Sequence, residues 1–235
     1  MIRSLCIASL VLLLAGPLAA SDSPQVGVTG TVRLAAPDAT GVGDPCPQPA
    51  FLLESGGITL LLGGDEIDLL PYVDRLVKLT VTQEVLTCGL VPILFHLVHA
   101  VEDPAPATLA ICGTGGLGCP IRLRSGPGGL AAHMLFVSLS PDFLPLPPER
   151  GSFLLGSPFF SIGTGLTTTF SDGLAFDFNI PLDNVLTGLT LHFQAARKEI
   201  GLTTGFGGTN PPLQFGNAVS LEIAGHVFVC HPTDC

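Results

Sequence analysis

The sequence predicts an all-β protein in which a five-stranded barrel is followed by an antiparallel β-sandwich. Residues 188–196 alternate strictly between apolar and other side chains, with Phe193 on the apolar face and His192 on the opposite one. This is the period of a half-buried strand, and residues 174–180 and 219–223 repeat it. The 29 glycines and 21 prolines imply frequent turns between short strands. Such strands bury their apolar face only against a second layer.

The first 20 residues have the pattern of a secretory signal peptide. Arg3 precedes an apolar run over Ile7–Leu14, and small residues lead to cleavage near Ala20 or Ser21. Cys6 lies before the apolar run, so it is not placed for lipid attachment. No later stretch has the ~20 uninterrupted apolar residues of a membrane-spanning helix. We therefore expect a secreted, extracellular or cell-surface protein that is not inserted in a membrane.

Six of the seven cysteines remain after cleavage, an even number in an oxidising compartment, which favours three disulfides over zinc. The simplest of the possible connectivities joins neighbours in sequence: Cys46 with Cys88, Cys112 with Cys119, and Cys230 with Cys235. The alternative use of the last pair is a metal cluster with His226 and His231. A small disulfide ring is favoured over that cluster because the tail is secreted.

The composition constrains the partners. The formal net charge is −10, and removal of Arg3 makes the mature chain one unit more negative. This balance disfavours nucleic acid and anionic membranes. Charged residues are only 12% of the chain, about half the usual share, so the surface must be unusually neutral. Such a surface suits a matrix protein or one that packs against its own copies, although a secreted β-protein with uncharged loops would look the same.

Residues 25–103 predict the barrel. Its predicted elements are a strand over Val28–Leu34, a loop over Ala35–Pro49, a hairpin of Ala50–Glu54 with Ile58–Leu62, a short helical turn within Asp65–Val73, and strands over Arg75–Thr82 and Val91–Val101. Three strands, a helical connection and two further strands resemble the oligonucleotide/oligosaccharide-binding (OB) barrel. We expect a Cys46–Cys88 disulfide to join its first long loop to the connection before its last strand.

The OB resemblance implies a ligand, either single-stranded nucleic acid or a sugar. Nucleic-acid readers need a basic groove with stacking aromatic rings. The predicted barrel has only Arg33, Arg75 and Lys78 against several carboxylates, which disfavours that ligand. Sugar binding favours exposed aromatic rings, and Tyr72 is the candidate ligand contact.

Residues 104–111 are predicted to be a short linker of prolines and alanines. Gly113–Gly118 follows between two cysteines. A phosphate-binding turn should follow a strand and open a helix, and no helix pattern follows here. The flanking cysteines instead predict a loop closed by a disulfide.

Residues 112–225 predict the sandwich, with a Cys-containing tail over residues 226–235. The predicted strands lie near Leu130–Ser140, Gly151–Leu155, Phe159–Ile162, Leu166–Phe170, Leu174–Pro181, Gly188–Ala196 and Asn217–Ala224. The segments Leu189-Thr-Leu-His-Phe-Gln194 and Asn217-Ala-Val-Ser-Leu-Glu-Ile223 resemble a C-terminal domain that recurs in exported proteins of planctomycete- and myxobacteria-like bacteria. That resemblance implies fold and export, and it carries no catalytic residues.

Other residue groups could carry chemistry, and each has a simpler interpretation. His96 and His99 are three apart on a predicted strand, so they fall on opposite faces and are poorly placed to share a metal. Two acidic groups could offer oxygen ligands to calcium: Asp65, Glu66 and Asp68, and Asp172, Asp177 and Asp183. Without the regular spacing of a dedicated loop, solvated turn carboxylates are favoured. The usual motifs of serine and zinc hydrolases do not occur.

We therefore predict no catalytic residue, no cofactor and no metal, and three hypotheses of function remain. The first is a structural, self-assembling extracellular protein of the cell surface, a matrix or a filament. The second is a surface module that binds glycans or another protein. The third is a secreted hydrolase whose catalytic carboxylates are too dispersed to recognise.

Overall fold

The computed structural model describes residues 23–36, 49–63, 67–88, 91–103, 107–126, 129–168, 173–200 and 211–225, together with Cys230. The predicted signal peptide, the Pro/Ala segment 104–106, and Cys46 and Cys235 lie outside these ranges. In chain order the strands are β1 Val26–Leu34, β2 Phe51–Ser55, β3 Ile58–Gly63, β4 Leu76–Cys88, β5 Val91–Glu102, β6 Thr108–Cys112, β7 Pro120–Gly126, β8 Ala131–Ser138, β9 Pro141–Leu144, β10 Phe153–Leu155, β11 Phe159–Thr167, β12 Leu174–Asn179, β13 Thr190–Glu199 and β14 Gln214–Glu222. Short 3-10 helices cover Leu70–Tyr72 and Asn184–Leu186.

Strands β1 to β5 form a closed barrel in the order β1-β2-β3-β5-β4, and β4 returns to β1. All neighbours are antiparallel except β3 and β5, which are parallel. The 3-10 helix Leu70–Tyr72 lies between β3 and β4. Valines and leucines from every strand fill the barrel, for example Val28, Leu53 and Leu79. This confirms the predicted OB-like barrel.

The hairpin of β2 and β3 turns at Gly56 and Gly57, as predicted. Their φ angles are 55° and 91°. A two-residue hairpin turn of this type needs positive φ at both central positions, which glycine adopts without strain. A side chain at Gly56 would also overlap Ala218 of β14. The turn therefore lies directly against the second half of the chain.

Strands β6 to β14 include a sandwich of two antiparallel sheets, which confirms the predicted class. One sheet has the order β11-β8-β13-β14 and the other β12-β7-β6, while β9 and β10 pair separately. The two sheets share one apolar core. Phe193 of β13 is 3% exposed within it, and Leu191 packs beside it. The apolar face of β13 is therefore the one that the alternation predicted.

The sequence prediction of strands was wrong at several segments, and residues 141–144, which form β9, were also not predicted to be a strand. The predicted linker ends inside β6, and residues 120–126, which were not predicted to be a strand, form β7. The two strands predicted at 159–162 and 166–170 are one strand, β11, with a bulge between Ser161 and Gly163. In each case glycines or prolines that indicated turns lie within or beside strands.

The second face of β13 is also buried, which the strand period did not indicate. His192 is 6% exposed, and its Nδ1 donates a hydrogen bond of 2.7 Å to the Gly56 carbonyl of the barrel hairpin. The alternation predicts an exposed His192 on the polar face of β13, and this prediction is wrong because the barrel hairpin covers the ring. Ser55 adds a second link, since its Oγ accepts a hydrogen bond from the Ala218 amide.

The disulfides differ from the simplest connectivity. Cys119, at the end of the Gly-rich loop, is bonded to Cys230 of the tail, 111 residues away in sequence. The predicted Cys112–Cys119 and Cys230–Cys235 pairs are therefore wrong, although Cys112 is also disulfide-bonded. The Gly-rich loop pairs through its backbone with the segment after β14, because the Gly115 carbonyl accepts a hydrogen bond from the Ala224 amide at 2.9 Å. This pairing holds the C-terminal end of the sandwich against the loop.

Candidate functional site

In the part of the chain that the structure describes, the two sheets of the sandwich have four edge strands, and two of them are covered. β14 contacts the barrel, and Asn217 on β14 also reaches β6 of the other sheet. The Asn217 side chain accepts from the Leu109 amide at 2.8 Å and donates to the Leu109 carbonyl at 2.9 Å. This amide thus imitates a strand neighbour for β6 and closes one side of the sandwich.

The other side of the sandwich is formed by β11 and β12. Strand β12 carries a charge on its exposed face, because Asp177 accepts two hydrogen bonds from Arg122 of β7, at 2.7 and 3.2 Å. The hydrogen bond and charge of Arg122 lower the pKa of Asp177. Charged side chains of this kind discourage pairing of an edge with other chains.

Strand β11 has no such protection. Its nine residues, Phe159–Thr167, include no Asp, Glu, Lys or Arg. Among the described strands it pairs with β8 alone, so the backbone groups on its other side form a free edge. Phe160 is 61% exposed and Leu166 is 68% exposed. An exposed, uncharged and partly apolar edge strand is a template for pairing with another chain.

The glycines of β11 let its backbone pack closely against β12. A side chain at Gly163 would overlap Phe176, and one at Gly165 would overlap Leu174, both on β12. The backbone of β11 therefore lies directly on the side chains of β12. The bulge beside Gly163 bends the strand locally, and Thr164, just after it, is exposed.

The start of β11 joins a wider apolar surface. The Phe159 ring is 4.8 Å from the Phe153 ring of β10, and Phe136 packs beside both. Leu139, next to the β8 residue that pairs with Phe159, is 61% exposed. The candidate site is therefore the free edge of β11 together with this aromatic cluster.

A buried polar group, which we name the His133 bridge, lies at the other end of β11. It consists of Ser125 of β7, His133 of β8 and Thr167 of β11. The Ser125 Oγ is 2.8 Å from His133 Nδ1, and the Thr167 Oγ1 is 3.1 Å from His133 Nε2. Each residue is at most 2% exposed. A serine beside a histidine also occurs in hydrolases, but burial keeps any substrate from this pair.

Gln194 is a second buried polar residue, and it joins three segments on the barrel-facing side of β13. Its Oε1 accepts from the Leu154 amide at 2.9 Å, and its Nε2 donates to the carbonyls of Ser152 and Gly216. Sequence reasoning missed both groups. The sequence signal of His133 is one polar residue within an otherwise apolar run, and that of Gln194 is a polar position in the alternation of β13. A surface position would give either signal.

Gln194→Leu is expected to lower the free energy of unfolding by about 2–3 kcal/mol. Leucine fills the volume but leaves one amide and two carbonyls buried without partners, and each such group is costly. Chemical denaturation of the variant and of the original protein measures the difference. Gln25→Leu, at an exposed position, is the control and should change stability little. Equal effects of the two substitutions would contradict this role of Gln194.

The structure places Tyr72, the predicted ligand contact, at the barrel core. Tyr72 is only partly exposed in the 3-10 helix and packs against the core residues between β3 and β4. The basic residues near it are paired with carboxylates: Arg33 with Glu54 and Asp74, Arg75 with Asp103, and Lys78 with Glu102.

The structure separates the two histidines of β5. His96 is 1% exposed and packs edge-on against Phe143, and burial lowers its pKa. His99 lies at a bulge in the pairing with β4, is exposed, and has its Nε2 2.8 Å from the Thr82 hydroxyl. The two rings therefore face different surroundings.

The predicted acidic groups do not come together where the structure describes them. Asp65, Glu66 and Asp172 lie outside the described residues, as do His226 and His231. Asp68 and Asp183 each accept from a backbone amide two residues later, and Asp177 is paired with Arg122. Within the described ranges, no three His, Cys, Asp or Glu side chains are grouped in a way that could hold a metal ion.

Two grooves lie on the barrel. The outer groove, of about 590 Å³, is lined by residues 23–25 and 82–84, with Leu97 and His99. The junction groove, of about 410 Å³, lies between the β2–β3 hairpin and residues 217–220 of β14. The junction groove is lined mainly by polar groups, whereas polar and apolar groups line the outer groove in similar shares, and neither contains a Phe or Tyr ring.

In the described part of the chain, none of the helices has the length and apolar character needed to span a membrane.

Comparisons with known proteins add no relative. The chain matches no family model, no curated protein and no solved structure.

Proposed function

We propose that the mature protein is a secreted, non-enzymatic structural protein that assembles with copies of itself at the cell surface or in an extracellular matrix or filament. The observation that carries this proposal is the free edge of β11. It is nine residues long and uncharged, and five of its nine residues are exposed. Natural proteins that stay monomeric usually protect such an edge.

A second copy of β11 fits this edge. Antiparallel pairing across a two-fold axis would place Phe159–Ile162 of one copy beside Thr164–Thr167 of the other. The same row of amide and carbonyl groups then satisfies both strands. Since neither strand carries a charge, no like charges are opposed. The exposed side chains of Phe160 and Leu166 add apolar surface to this contact.

The prolines near the edges do not interrupt β11. Pro158 immediately precedes the strand, and Pro181 follows β12. A proline blocks pairing only where it removes an amide from the edge itself. Within residues 130–217, the basic residues are Arg150, Arg197 and Lys198, and none of them lies on β11.

Thr164→Lys should weaken self-association at least about tenfold, equivalent to ~1.4 kcal/mol. Thr164 is exposed in the middle of the edge, and a two-fold contact would bring two lysines close together. Light scattering and electron microscopy of the purified proteins measure the effect. Thr59→Lys is the matched control, because Thr59 is an exposed strand residue of the closed barrel, which has no edge. Association that survives Thr164→Lys unchanged would rule out β11 as the contact.

Secretion and the bacterial resemblance belong to the same proposal. The Cys119–Cys230 disulfide suits an oxidising compartment. The two segments that carry the resemblance lie on β13 and β14, which are paired neighbours with Leu191 opposite Leu221 and Phe193 opposite Val219. N-terminal sequencing of the exported protein tests this part, and a chain that retains Arg3 would contradict it.

A second candidate function is glycan binding in the outer groove. Thr82, Gln83, Glu84 and His99 offer hydrogen-bonding groups there, as a hydroxyl-rich ligand requires. A glycan array probed with the mature protein tests it. Binding that disappears when His99 and Glu84 are both replaced by alanine would support this candidate, and no binding to any glycan would remove it.

A further inference from the structure

The His133 bridge connects β11 to both sheets of the sandwich. Thr167 is the last residue of β11, and its hydroxyl donates to the Gly129 carbonyl at 2.6 Å. With that proton used, the Thr167 oxygen accepts from His133 Nε2, and His133 Nδ1 accepts from the Ser125 hydroxyl. Each side chain of the His133 bridge therefore has its hydrogen-bond partners when the imidazole ring is neutral.

A second proton on the ring would be unfavourable. His133 is 1% exposed, and burial without a counter-charge disfavours the charged form. Arg197 of β13 lies opposite it in the register and is itself buried, with an ion pair to Glu199 at 2.8 Å. The elements packed around the ring thus present Ser125 from β7, Thr167 from β11 and the Arg197–Glu199 pair from β13.

We propose that the His133 bridge is a proton-sensitive attachment of β11, so that protonation of His133 in mild acid releases the C-terminal half of β11, residues 163–167, from the sandwich. The inference rests on the proposed function in one respect, since β11 is the strand through which copies would pair. Release would remove the ordered edge, and assemblies formed near neutral pH would dissociate in acid.

The direction of the pH effect follows from linkage. Burial, and then the charge of Arg197, lower the pKa of His133 below its ordinary value of 6.5. As the pH falls below 6.5, the released state takes up a proton that the attached state does not. Release therefore becomes more favourable as the pH decreases, and the effect ends below the pKa of the attached state.

Hydrogen exchange of the β11 amides tests the inference in the Thr164→Lys background, where the readout does not depend on assembly. After correction for the intrinsic pH dependence of exchange, protection of residues 163–167 should fall by up to about tenfold per pH unit below 6.5. Adding His133→Gln, which keeps a neutral side chain with a donor and an acceptor, should make protection independent of pH. The matched control is His96→Gln, which replaces the buried barrel histidine and should leave the pH dependence intact.

Protection that is independent of pH in the Thr164→Lys protein, or a dependence that persists with His133→Gln, would overturn the inference. If His133→Gln does not fold, NMR titration of the His133 ring in the Thr164→Lys protein replaces it. Coincident midpoints for the ring and for β11 protection would support the attachment role, and separate midpoints would refute it. A pH-dependent β11 in a protein that never self-associates would remove the proposed function and leave the attachment role standing.

Discussion

Replacing both Cys119 and Cys230 with serine is expected to lower the free energy of unfolding by about 5 kcal/mol in the chain-entropy model. The disulfide closes a loop of 111 residues, which contains strands β7 to β14 of the sandwich. Its loss would free a large part of the unfolded chain. Denaturant unfolding of the oxidised proteins measures the change, and the variant keeps its other cysteines.

Peptide mapping under non-reducing conditions is the control for this substitution. It should recover the peptide of Cys119 joined to that of Cys230. A fragment that joins Cys119 to Cys112 would contradict the connectivity. In that case the closed loop would be short, and its removal would cost roughly 2 kcal/mol.

Phe193→Ala is expected to lower the free energy of unfolding by about 3–5 kcal/mol. The ring is 3% exposed at the centre of the core between the two sheets, and its removal leaves a cavity that rigid strands cannot fill. Such a loss is a large part of the stability of an ordinary domain. Thermal and chemical denaturation of the purified variant measure it.

Phe160→Ala is the matched control for Phe193→Ala. It removes the same ring from an exposed position of β11, so its effect on the stability of the monomer should stay within about 0.5 kcal/mol. Equal losses for the two substitutions would mean that the inner and outer faces of the sandwich have been assigned wrongly.

Alternation along the chain was enough to predict the all-β class, the barrel followed by a sandwich, and the face of β13 that carries Phe193. These features depend on the two-residue period of a strand, which is a local property of the sequence. The turn at Gly56 and Gly57 was predictable for the same reason, since its glycines meet a local backbone requirement.

Features that depend on distant contacts were not predictable. His192 and Gln194 occupy polar positions of β13 that a lone sandwich would expose, and the barrel hairpin and β10 cover them. Gly163 and Gly165 suggested a turn, yet they are glycines because β12 occupies the space of their side chains. β6 and β7 were missed because prolines and glycines flank such short strands.

The candidate site was predictable in kind but not in position. Low charge indicated self-association, yet the sequence did not show which sheet edges would be covered. In the structure the barrel covers β14 and Asn217 covers β6, while β12 carries the charge of Asp177. Only β11 is left, among the sandwich edges described, without charge or cover.

Sedimentation of the purified mature protein is the most direct measurement of assembly through β11. It should be made near neutral pH and moderate salt, at micromolar concentrations that span about a hundredfold range, because association depends on concentration. The account predicts species larger than a monomer whose share increases with concentration. A single monomeric species across the whole range would contradict it.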